Sequence, residues 1–115
     1  MRTPRAAGAA DNTQPSLLRR CRSAVRAIVP DADVILYGSR ARGDASEDSD
    51  YDIVVVVDGI VDMALEDRIR ASVYPLELET GAVLTLIVYS REEWDSPLQR
   101  ATPFHKNVER EGLLL

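Results

Sequence analysis

The chain has 115 residues, of which 45% are hydrophobic and 29% charged, and a formal net charge of −5. That length builds one core and not two, no apolar run approaches what a bilayer requires, and the acidic balance argues against nucleic acid as a partner, because such binding rests on many Lys and Arg contacts to phosphate. The lone cysteine, Cys21, cannot close an internal disulfide, and without an apolar signal segment at the start a reducing, cytoplasmic setting is expected.

Residues 1 to 15 are small, polar or helix-breaking and lack apolar periodicity, the composition of a disordered tail, so the expected domain spans 16 to 115. Ser16 is a plausible N-cap, and Leu18, Cys21, Val25 and Ile28 recur at helical spacing until Pro30, which predicts a first helix. Cys21 lies in that apolar stripe and reads as a small buried hydrophobe. Arg19, Arg22 and Arg26 line another face as a basic stripe, read as solvated. Val34 to Tyr37 is a short β-branched and aromatic run that ends at Gly38, and Tyr51 to Val57 is a second such run. Both predict buried strands.

Further on, Val61, Leu65, Ile69 and Val73 repeat every four residues, an amphipathic helix expected to stop at Pro75. Gly81 opens a strand over Ala82 to Tyr89. Glu92, Trp94, Leu98, Ala101, Phe104 and Val108 then predict a short helical turn and a C-terminal helix, with Trp94 against the sheet edge and His105 at the surface or capping a helix. Leu113 to Leu115 form either a patch covered by another subunit of a homo-oligomer or a segment folded back on the core. The elements thus follow in the order helix, strand, strand, helix, strand, helix, with no internal repeat.

Chemistry concentrates in Gly38-Ser39-Arg40-Ala41-Arg42-Gly43 and, after an acidic loop, Ser49-Asp50-Tyr51-Asp52. Gly38 allows close backbone approach at a strand end, and Ser39 offers a hydroxyl and an amide at the start of a helical turn, where donors suit phosphate oxygens. Asp50 and Asp52 are two apart at a strand start, so both project from one face and can share a hard cation, for which magnesium is the natural ion. Arg40 and Arg42 suit phosphate contact and equally suit pairing with Asp44, Glu47 or Asp48.

The Gly-Ser pair, ten intervening residues and Asp-Tyr-Asp resemble the nucleotidyltransferase family related to DNA polymerase beta. Within it, the chain looks like the minimal nucleotidyltransferases of bacteria and archaea, which include the antitoxin partners of toxins from neighbouring genes. The resemblance implies an α+β fold, a small mixed sheet packed with helices, and with it ATP with Mg2+, Gly38, Ser39, Arg40 and Arg42 on the nucleotide, Asp50 and Asp52 as catalytic metal ligands, and transfer of AMP to a hydroxyl acceptor, with a partner protein as its carrier. In that family a third carboxylate comes from the next strand as base or extra ligand. Here Thr85 holds the position, and a threonine cannot take a proton at neutral pH. Glu77 and Glu79 precede Gly81 and are alternatives only if the chain bends back. The other reading is therefore a catalytically impaired module that binds nucleotide or partner without turnover.

Overall fold

The computed structural model describes residues 15–115; all but the last residue of the expected tail lies outside the described residues. The first helix, α1 (Pro15–Ile28), buries Leu17, Leu18, Cys21 and Val25. Burial, with a smaller contribution from the nearby Glu77 charge, pushes the Cys21 thiol up to about 12. Parts of the basic stripe have fixed partners: Arg26 Nε donates to the Ala32 carbonyl at 3.0 Å, closing the turn into β1 (Asp33–Tyr37).

After β1 come a short turn of helix, α2 (Ser39–Arg42), and β2 (Tyr51–Val57). Then α3 (Met63–Thr80) crosses over to β3 (Leu84–Ser90). Three short helices follow, α4 (Arg91–Trp94), α5 (Pro97–Arg100) and α6 (Pro103–Glu111), before β4 (Leu113–Leu114). The sheet order is β3-β2-β1-β4. β1 runs antiparallel to β2 and to β4, and β2 runs parallel to β3, so the sheet is mixed as expected. Its arrangement is that of an α+β fold.

The two faces of the sheet are covered differently. Val34, Leu36, Ile53, Val55, Leu84, Leu86 and Val88 meet the apolar sides of α1 and α3 in the larger core. Ile35, Val54 and Val56 meet Trp94 and Val108 on the other, with Tyr37, Tyr89 and Phe104 around them. β2 is covered on both sides, the physical reason its sequence is a continuous Ile-Val run and not an alternation.

Four expectations need correction or a decision. α3 does not stop at Pro75 but runs five residues further, because its buried stripe continues through Leu76 and Gly81, at φ 74, caps the end by donating to the Glu77 carbonyl. Pro75 removes the donor for the Ala71 carbonyl, but both residues are exposed, where water can serve. The region around Pro97 and Pro103 resolves into three helices headed by Ser90, Ser96 and Thr102, each side chain accepting from an amide three residues on. Both prolines sit in the first helical positions, where a missing N–H costs nothing. His105 is neither a surface residue nor a cap: it is 4% exposed, its ring lies 4.2 Å from that of Trp94, and its Nε2 has no partner among the described residues. Trp94 lies on the sheet edge as expected, its ring 5.1 Å from that of Tyr89 on β3, and it also joins Ile35, Val54 and Val56 of the central strands. Finally, Leu113 to Leu115 fold back, pairing with β1, and Leu115 N donates to the Val34 carbonyl at 2.8 Å.

That last pairing depends on Gly112, where a Cβ would lie 2.5 Å from the Val108 carbonyl oxygen and 2.9 Å from Ile35 Cγ2. Gly112→Ala should therefore cost on the order of 1–3 kcal/mol from overpacking, read as a lowered urea midpoint; an unchanged midpoint would contradict the packing described here.

Candidate active site

The end of β1 and the start of β2 are brought together by the antiparallel register, in which Tyr37 pairs with Asp52. Gly38 leaves the strand at φ 76 and ψ −156, a conformation open to glycine, and its carbonyl accepts from the amides of Ala41 and Arg42 at 3.1 and 3.0 Å to form α2. Ser39 is the first residue of that turn. Gly43, left-handed at φ 84, ends it. Gly38 and Asp52 then lie so close that a Cβ built on the glycine would be 2.7 Å from Asp52 Oδ2.

The loop between the two strands is held from inside by Arg40. Its Nε and one terminal nitrogen donate to the Ser49 carbonyl at 3.2 and 2.8 Å, and the same terminal nitrogen reaches the Glu47 carbonyl at 3.2 Å. The guanidinium carbon stands 4.2 Å from the centre of the Tyr51 ring, and the residue is 3% exposed. A cation buried this deeply must be compensated, and carbonyl oxygens with an aromatic face supply that. By residue type Arg40 suits phosphate contact and equally the carboxylates of Asp44, Glu47 or Asp48. The structure instead places it beneath the loop that delivers Asp50.

Asp50 and Asp52 keep strand spacing, and the exposed Asp50 raises the carboxyl pKa of its half-buried neighbour. Burial is the larger cause of that rise, the Asp50 charge adds to it, and the Arg42 charge opposes it. Arg42 lies at the surface, with Nε 3.2 Å from Asp44 Oδ2 and a terminal nitrogen 3.4 Å from Glu111 Oε2. Its charge reaches Asp52 and opposes the rise of that carboxyl.

On the other side of β2, Asp52 pairs in register with Thr85 of β3. Neighbours in register project from the same face, so Tyr37, Asp52 and Thr85 form one row across three strands. Glu77 and Glu79 are engaged elsewhere: Glu77 accepts from the Leu84 amide at 3.0 Å, and Glu79 pairs with Arg20 of α1. Among the described residues no group of three or more His, Cys, Asp or Glu is assembled as a metal site. Of the acid pair, Asp52 is the one that lies against the turn.

Tyr37 and Tyr89 were read from sequence only as strand residues. The structure puts the Tyr37 hydroxyl near the acids, its pKa raised first by burial, then by Asp52 and by Tyr89. Phe104 meets the Tyr37 ring edge-on at 5.3 Å. The signal was the position of Tyr37 just before Gly38, but its partner on β2 depends on the register.

Against this geometry, residues 18–112 match the family model described as a nucleotidyltransferase domain. The chain belongs to that family. It is also 38% identical over 82 residues, covering 71% of this chain and 75% of the relative, to a protein of Methanocaldococcus jannaschii named "Putative protein adenylyltransferase". In this nucleotidyltransferase domain, then, the Gly-Ser turn abuts the second aspartate of the pair, and Thr85 is the residue beside it on β3.

Gly38→Ala should be destabilising by about 1–3 kcal/mol, since the methyl group meets a carboxylate and the residue keeps a left-handed φ. A variant as stable as the parent would exclude the close approach. Asp52→Asn should act in the opposite direction. Because the folded protein raises this carboxyl pKa above 3.8, the folded state holds extra proton just above that value and stability falls as pH rises through the window. The unliganded asparagine variant should therefore melt higher than the parent at neutral pH, with the difference vanishing below the carboxylate range; a lower neutral melting temperature would contradict the burial argument.

Proposed function

We propose that this domain binds ATP with magnesium and transfers AMP to a hydroxyl on a partner protein. The reading rests above all on the approach of Gly38 to Asp52, which sets the Gly38-Ser39 turn, with its amides and hydroxyl, directly beside a carboxylate of the acid pair. Two carboxylates on one face are hard oxygen donors, a set that fits magnesium, and Asp50 and Asp52 would hold it. Magnesium, when bound, neutralises triphosphate charge and stabilises the departing pyrophosphate.

The chain's own groups divide the remaining work. Gly38 and Ser39 start a helical turn whose amides and hydroxyl suit the β- and γ-phosphates. Arg42 supplies an exposed guanidinium fork for the same oxygens. Arg40 positions: by holding the carbonyls of Glu47 and Ser49 it sets where Asp50 stands. In the transfer, the acceptor oxygen bonds to the α-phosphorus as the bond to the bridging oxygen breaks, pyrophosphate leaves with that bond's electron pair, and the acceptor's proton passes to solvent water.

Thr85 beside Asp52 favours a second reading, since its hydroxyl cannot accept that proton. On it, the domain binds nucleotide or partner without turnover. The relative's name favours transfer to protein, and the resemblance to antitoxins favours a toxin-like partner encoded nearby, in the reducing cytoplasm that suits a single buried thiol.

Incubation with labelled ATP, magnesium and the products of neighbouring genes should leave label on one of them, and Asp50→Asn should reduce that labelling at least about a hundredfold, the scale of losing a transition-state charge contact. A melting-temperature rise with ATP and magnesium but no pyrophosphate release would select the second reading. Neither a shift nor a label would sink both.

A further inference from the structure

We propose that α3 and the outer side of β3 form a two-fold interface with a second copy of this chain. α3 carries two apolar stripes. Ile69, Val73 and Leu76 are buried against the sheet, whereas Ala71, Tyr74 and Leu78, three and four residues apart, form a second line toward solvent, with Tyr74 56% and Leu78 68% exposed. Val83, at the foot of β3, is 51% exposed. A helix apolar on two sides needs cover on both.

Between this line and the sheet lies a groove of about 310 Å³ lined by Arg70, Val73, Tyr74, Glu77, Leu84 and Leu86. It is roomy enough for a tyrosine side chain. Among the described residues β3 is the outer strand of the sheet. The Val83 carbonyl accepts from Tyr51 of β2, so in the alternating parallel ladder the main-chain groups of Leu84 and Leu86 point outward. α3 reaches across to these groups: Glu77 Oε2 takes the Leu84 amide at 3.0 Å, and Arg70 donates to the Leu86 carbonyl at 3.2 Å. Side chains that occupy edge groups block strand addition. The occupant is therefore a helix face and not another strand.

Charge decides which helix. Arg70 and Glu77 stand at opposite ends of the groove, seven residues and about 10 Å apart along α3. An antiparallel α3 from a second copy, turned about a two-fold axis near Tyr74, brings each Arg70 to the other's Glu77. Each Tyr74 then enters the facing groove. The surface is self-complementary in charge and in shape, as a two-fold interface requires. The interface uses the helix-covered face, across the sheet from Asp52, and does not depend on the activity proposed above.

Sedimentation equilibrium of the full chain should give twice the monomer mass, falling on dilution. Tyr74→Asp should give a monomer at the same concentration with an unchanged melting temperature when dilute. Arg70→Glu and Glu77→Lys should each weaken self-association several-fold, and an equimolar mixture of the two should regain it, because each end then pairs one acid with one base. If the lysine variant does not fold, the Tyr74 variant alone decides. A monomer at every concentration, a dimer unaffected by Tyr74→Asp, or association only with a different protein would overturn the proposal.

Discussion

A carboxylate oxygen of Asp52 lies against the backbone of Gly38 with no room for a side chain between them, and the surrounding structure keeps it there. The contact is set by strand pairing: Tyr37 opposite Asp52 places the residue that leaves β1 beside the second residue of β2. A slip of one residue would turn the aspartate to the other face, into the apolar core under α1 and α3. The five buried positions that follow Asp52 make that slip prohibitively costly, since every side chain of the run would also exchange faces. The hydrophobic core thus specifies the geometry of the polar site.

The same logic explains the loop. The chain from Gly43 to Asp50 is rich in charge and small residues and has little apolar surface of its own to anchor it. Arg40 provides the anchor by burying its cation among loop carbonyls and on the Tyr51 ring. Ser46 and Ser49 close the bend, with the Ser46 amide donating to Ser49 Oγ at 3.0 Å. Of the two arginines in the segment, one is used to build the site and the other remains at its surface. Acid is then concentrated at Asp50 and Asp52, and burial together with the Asp50 charge makes ionisation of Asp52 costly until a cation or donor compensates it.

Much of this was legible because it follows from local pattern. The Ile-Val run of β2, the stripe of α1 and the Gly-Ser and Asp-Tyr-Asp segments are short-range features whose spacing maps directly onto strand or helix geometry. The misreadings have a common cause in partners remote in sequence. Pro75 signals a helix end by itself, yet the stripe through Leu76 and the cap at Gly81 outweigh one missing donor. His105, a lone polar residue in a charged segment, is drawn inward by Trp94 and the neighbouring apolar side chains.

The amino-acid sequence by itself determined where the glycine-serine pair and the two aspartates, two residues apart, fall along the chain, because these are constraints of backbone freedom and side-chain type. It also determined the order of helices and strands, because hydrophobic period is a local property. Only the tertiary structure decided that Arg40 faces inward while Arg42 stays out, that Tyr37 stands opposite Asp52, and that Leu113 to Leu115 close the far edge of the sheet. These outcomes depend on register and on burial between distant segments, and they are settled when the core closes.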